Sequence, residues 1–136
     1  MVREIVHDPM FLALKSEPAD ENDRAVITDL TDTLRAHLDR CVGMAANMIG
    51  VRKNIIAVHT GWNQLIMVNP KILSKSGAYT AVEGCLSLAG EREIIRYREI
   101  EVSYLDEQFK LQRNKYTGWI AQIIQHEIDH CSGILI

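Results

Sequence analysis

His126 and His130 stand four residues apart, with Glu127 beside the first, in the run Thr117-Gly-Trp-Ile-Ala-Gln-Ile-Ile-Gln-His-Glu-Ile-Asp-His-Cys-Ser-Gly133. Apolar residues recur here at helical spacing, so the two imidazoles fall on one face, about one turn apart. Such a pair can hold one metal ion, and Glu127 is then placed as a general base for hydrolysis. Two histidines alone make an unstable site, so a third ligand is needed. Six residues follow His130, and the one with ligating chemistry is Cys131. On a helix it points about 100° away from its neighbour. The third ligand is therefore expected upstream.

Cys85, within Glu83-Gly-Cys-Leu-Ser87, is the upstream candidate. A thiolate is a strong ligand, and Gly84 lets the backbone bend toward a metal. Cys85, His126 and His130 would leave a fourth tetrahedral position open, as catalytic sites do. Taken alone, Cys85 reads equally well as a buried apolar filler, which is how Cys41 and Cys131 are read. Trp119, Gln122, Ile123, His126 and His130 follow one another at three- or four-residue steps and share a helix face. Trp119 and Ile123 thus either wall an apolar pocket beside the metal or belong to the core.

The elements that must position these residues can be read in order. Thr117 is placed to cap the histidine helix and Gly133 to stop it. Asp8-Pro9 opens a short helical turn reaching Leu14. From Asp23 to Leu38 the stripe Ile27, Leu30, Leu34, Leu38 predicts an amphipathic helix, with His37 a surface or packing residue. Cys41 to Gly50, with two glycines and two alanines, predicts backbone in close approach to a ligand or another element. Ile55–Val58 and Leu65–Val68 predict a hairpin about Thr60-Gly-Trp-Asn63. Asn69-Pro70 should end the second run, with Lys71–Ser74 as an edge strand. Arg98–Leu105 alternates as a strand, turns at Asp106-Glu-Gln, and returns through Phe109–Arg113. Strands in mid-chain with a helix on each side predict an α+β fold with largely antiparallel sheets.

Composition sets the outer limits. The chain has 136 residues, 47% hydrophobic and 24% charged, which fits one domain with a real core. A net charge of -3 with mixed signs gives no basic face and argues against nucleic acid as a partner. No apolar run approaches membrane-spanning length, and the N-terminus has no signal-peptide core. Three irregularly spaced cysteines do not read as a disulfide framework and predict a reducing cytoplasm.

Three stretches, in order, resemble the signature motifs of peptide deformylases: Gly43-Met-Ala-Ala-Asn-Met48, Glu83-Gly-Cys-Leu-Ser87 and Gln125-His-Glu-Ile-Asp-His130. His7-Asp-Pro-Met-Phe-Leu12 and Val68-Asn-Pro-Lys-Ile72 are similar to the family as well. The resemblance implies residues 1–136 as a single catalytic domain, with antiparallel β-sheets packed around a central C-terminal helix. It implies removal of the formyl group from the N-terminal formyl-methionine of nascent polypeptides in the cytoplasm, without contact to nucleic acid or membrane. It implies one divalent metal ion, Fe(II) in the family, with Zn(II), Ni(II) or Co(II) in its place in preparations. Matched by position, Cys85, His126 and His130 are metal ligands, Glu127 the general acid/base, and the Leu86 backbone N–H an oxyanion donor. Gly43, Met44 and Glu83 line or support the peptide cleft, and Arg96 anchors substrate; the shared helix face leaves Trp119 and Ile123 as either a wall for the methionine side chain or core.

Two departures qualify the resemblance. Cys41 and Met48 stand where the first motif has glycine and glutamine. The glutamine amide donates to the oxyanion, whereas a thioether has no donor, so turnover is expected to be slow. Asn47, next door, is expected to point elsewhere. The chain also stops at Ile136, where many family members continue into a further C-terminal helix or tail, so any ribosome contact such a tail makes would be missing. The alternatives are an amidohydrolase acting on another small acyl-amide, and a weakly active binding or regulatory paralogue.

Overall fold

The computed structural model describes residues 1–136. Five strands form one antiparallel sheet in sequence order: β1 (Gly43–Ala45), β2 (Ile55–His59), β3 (Gln64–Gly84), β4 (Glu91–Leu105) and β5 (Leu111–Thr117). Three helices accompany it: α1 (Pro9–Leu12), α2 (Arg24–Ala36) and α3 (Gly118–Cys131). No helix is long and apolar enough to cross a membrane.

Strand alternation sends successive side chains to opposite faces, and each face meets a different helix. Ile55, Ala57, Ile66 and Val68 pack with Ile27, Leu30 and Leu34 of α2. Ile56, Val58, Met67, Ile100 and Val102 pack with Ala121, Ile123, Ile124 and Cys131 of α3. The apolar stripe of α2 is thus satisfied on one side, and α3 is enclosed on the other.

The β3–β4 hairpin is much longer than the sequence suggests. Asn69-Pro70 does not end the second run. Pairing shifts register between Val68 and Lys71 and again between Ile72 and Ser74, and β3 then continues to Gly84. Asn69 takes a left-handed φ of 52°, which asparagine tolerates, and its side chain clasps the backbone of Ala19 through both amide atoms. Beyond these bulges, Tyr79 and Glu83 of the outer hairpin meet Gln122 of α3. Lys71–Ser74 is accordingly part of β3 and not a separate edge strand.

The helix ends also differ from expectation in detail. Asp8 caps α1 by accepting from the Met10 N–H, as its position predicts. Thr117 occupies the N-cap of α3 but makes no capping bond with its side chain. Gly133 has φ +76°, and a Cβ there would meet the Ala13 carbonyl oxygen at 2.5 Å. Only glycine lets α3 stop against the segment after α1. His37 packs at the end of α2 with its Nδ1 2.7 Å from the Thr33 carbonyl.

Candidate metal centre and cleft

The helical spacing of His126 and His130 brings their Nε2 atoms to 3.1 Å. Cys85, carried on the turn after β3, places its Sγ 3.2 Å from His130 Nε2. All three donor atoms lie within 4.8 Å of one another. Two imidazole nitrogens and one sulfur converging in this way match the ligand set of a tetrahedral divalent ion with one position free.

Local bonding fixes which nitrogen faces the centre. His126 Nδ1 lies 2.7 Å from Glu83 Oε1 and donates to it, leaving Nε2 as the inward lone pair. Arg96 braces the same carboxylate through Nε and Nη2, and its Nη1 reaches Asp129. The electrostatics agree with a cation site. Burial opposes charge on His126, but its contacts with Cys85 and Glu83 outweigh that and raise it to about 10. Burial and the neighbouring His126 push His130 down to about 3. With Nδ1 of His126 committed to Glu83, a divalent ion would compete with a proton for its Nε2.

Burial works against the Glu83 carboxylate too, but its bonds to His126, Arg96 and Gln122 win and depress it to about 2. A depressed carboxylate contributes stability that is present above its ordinary pKa near 4.5 and lost as pH falls toward 2. In metal-free protein the Tm should therefore fall more steeply below pH 4.5 than in Glu83→Gln. Parallel curves by calorimetry would show that Glu83 is not the acid-labile group.

Glu127 is fully buried, its Oε1 has no protein partner, and burial raises it to about 7. A carboxyl so poised is suited to accept and return a proton near neutrality. Gly43 makes room for it: a Cβ at 43 would lie 2.6 Å from Ile123 Cγ2 and 2.8 Å from Glu127 Oε2. This accounts for the glycine at position 43.

A cleft of about 820 Å³ opens over the centre. Gly43, Met48, Glu83, Leu86, Trp119 and Ile123 line it together with Cys85, His126 and Glu127. The Leu86 N–H has no protein acceptor. Trp119 stands half-exposed at the cleft, while Ile123 is nearly buried.

Some residues fall elsewhere than expected. Met44 is fully buried in the α2-side core and does not line the cleft, because β1 alternation turns it away from Gly43's surroundings. Arg96 is 3% exposed and is committed to Glu83 and Asp129, so it braces the ligand shell and has no free face for substrate. Cys41 is half-buried, packing against the α2-side core and also lining the cleft, whereas Cys131 is buried as read. Asn47 is buried and its Nδ2 donates to the His130 carbonyl at 2.9 Å. Met48 Sδ accepts from the Ala45 N–H at 3.5 Å. Sequence reasoning missed His7, which lines the cleft with Nδ1 3.0 Å from the Ser87 carbonyl. It also missed the brace formed by Asp129, although Asp129 lies inside the histidine motif.

Comparison with known proteins agrees with this geometry. The family model for polypeptide deformylase matches residues 2–136. The chain is 52% identical over its full length to a peptide deformylase of Clostridium beijerinckii, itself covered completely. It is 34% identical, over 91% of its length and 79% of the relative's, to a peptide deformylase of Thermoanaerobacter pseudethanolicus. Among solved structures, a peptide deformylase from Legionella pneumophila superposes with TM-score 0.89 at 33% identity, covering 99% of this chain and 83% of that one. A Met-Ala-Ser-bound peptide deformylase from Acinetobacter baumannii does so with TM-score 0.87 at 31% identity, covering 99% and 97%.

Proposed function

Because the chain belongs to the peptide deformylase family, we propose roles for its individual residues in the reaction that the family performs. It is a metal-dependent hydrolase that removes the N-formyl group from the formyl-methionine of nascent polypeptides. The observation that carries the residue assignment is the convergence of Cys85 Sγ with two imidazole Nε2 atoms beneath an open cleft.

Cys85, His126 and His130 hold the divalent ion, and residues 1–136 act as one catalytic domain. When bound, such an ion supplies Lewis acidity and lowers the pKa of water to roughly 7. The protein's own groups do the rest. Glu127 takes the proton of the attacking water and delivers it to the departing amine of the methionine. The Leu86 N–H donates to the oxygen that gains charge as the formyl carbon becomes tetrahedral. Trp119 and Ile123 offer an apolar wall for the methionine side chain, with Gly43 and Glu83 shaping the cleft beside it.

Fe(II) is the ion proposed for the cell. An Fe(II)–thiolate centre open to solvent is vulnerable to oxygen at metal and sulfur. Fe(II)-loaded protein should lose activity in air, and Ni(II)- or Zn(II)-loaded protein should keep it. An iron form stable to prolonged aeration would overturn the choice of metal. Replacing Cys85 by serine or His126 by alanine should abolish stoichiometric metal on elemental analysis. Full retention in Cys85→Ser would remove that residue from the ligand set.

The function itself is tested by anaerobic turnover of Fe(II)-loaded protein on formyl-Met-Ala and acetyl-Met-Ala peptides. Hydrolysis of the formyl peptide alone is expected. Hydrolysis of neither, or equal hydrolysis of the acetyl peptide, would overturn it.

A further inference from the structure

Gln122 lines the cleft on the same face of α3 as His126, one turn earlier. Its amide is occupied at both ends. Nε2 donates to Glu83 Oε2 at 2.9 Å, and Oε1 accepts from the Tyr79 hydroxyl at 3.2 Å. Tyr79 comes from β3, two pleats before Glu83 on the same face, and the Arg98 guanidinium lies 4.9 Å from its ring centroid. A chain of contacts thus runs from the outer hairpin through Tyr79, Gln122 and Glu83 to His126.

The geometry at Glu83 gives this chain its purpose. Arg96 grips the carboxylate through Nε and Nη2, and Gln122 supplies a further donor to Oε2 from the helix that carries His126. Oε1 is thereby held 2.7 Å from His126 Nδ1. Without Gln122, Oε2 keeps the Arg96 Nε contact and Oε1 keeps Arg96 Nη2 and His126, so the carboxylate loses the one donor that ties it to α3 beside His126. The hydrogen bond that orients the imidazole would then rest on Arg96 alone, which approaches from β4 and not from the histidine helix.

We propose that Gln122, fixed by Tyr79, is a positioning residue for metal ligand His126, acting through Glu83. This rests on the assignment of Cys85, His126 and His130 as metal ligands. Glu83 is the partner one step removed from the metal, and loss of such a partner typically changes affinity by about 10–100-fold; Gln122 stands one step further out, so its effect falls at the lower end. Tyr79 does not line the cleft, so its removal separates positioning from substrate contact.

The test is Zn(II) affinity, measured by competition with a chelator, in wild type, Gln122→Met, Tyr79→Phe and the double variant, with Tm recorded for each. Gln122→Met should weaken Zn(II) binding by about tenfold, at the lower end of that range. Tyr79→Phe should weaken it less, with KM for formyl-Met-Ala unchanged. The double variant should match Gln122→Met alone, because the hydroxyl acts only through the amide. Unchanged Zn(II) affinity in folded Gln122→Met, or additive losses in the double variant, would overturn the proposal. Should Gln122→Met not fold, unchanged affinity in Tyr79→Phe does so. A wild-type chain that binds no Zn(II) would instead remove the metal-ligand assignment on which the proposal stands.

Discussion

Glu127→Gln should leave the fold and the bound metal in place and cut formyl-peptide hydrolysis by about 10²–10⁴-fold. The amide has nearly the shape of the carboxyl, so the crowded contact of Glu127 with Gly43 survives. It has no basic oxygen, so it cannot take a proton from water or return one to the amine. Burial with Oε1 unpartnered holds the native carboxyl near the pH at which both transfers are easy. Because the metal ligands come from other residues, elemental analysis of the variant should read as wild type. Near-wild-type turnover in metal-replete Glu127→Gln would place the base elsewhere.

Met48→Gln is expected to act in the opposite direction. Met48 lines the cleft but brings no donor, and even its weak acceptor sulfur is turned to the Ala45 N–H. Asn47 cannot stand in, since its amide is spent on the His130 carbonyl in the core. The Leu86 N–H, which has no protein acceptor, remains as a donor to the oxyanion. Loss of one such donor typically costs about 10²–10³ in turnover. Glutamine is close to methionine in length, so the substitution should fit the same space. It should raise kcat by at least about tenfold while KM changes little, because the new bond forms chiefly in the transition state. An unchanged kcat in a folded, metal-replete Met48→Gln would show that another donor already completes the oxyanion site.

How much of this was legible in the chain depends on the range of each interaction. The pairing of His126 with His130 and the placement of Glu127 follow from helical periodicity, a local property, and α3 runs over Gly118–Cys131 where the pattern puts it. The α2 stripe and the hairpin at Thr60–Asn63 were equally local. The motif order and its resemblance to a known family carried Cys85 into the same site, although its residue type alone left ligand and filler open. The outer halves of β3 and β4 were not legible. Their buried positions include the charged Glu83 and Arg96, so the sequence lacks the apolar–polar alternation that marks a half-buried strand.

Only the tertiary structure decided what each side chain faces. The β3–β4 hairpin, whose pairing shifts register after Val68, meets α3 in the fold and brings Glu83 to His126, Arg96 to Asp129 and Tyr79 to Gln122. Arg96 is therefore a buried brace, while Cys41 faces the cleft and Met44 faces the core. The types and spacing of residues determined which chemistry this protein could carry. The fold determined which partners each group meets, because those contacts join residues tens of positions apart and depend on strand register that no local pattern encodes.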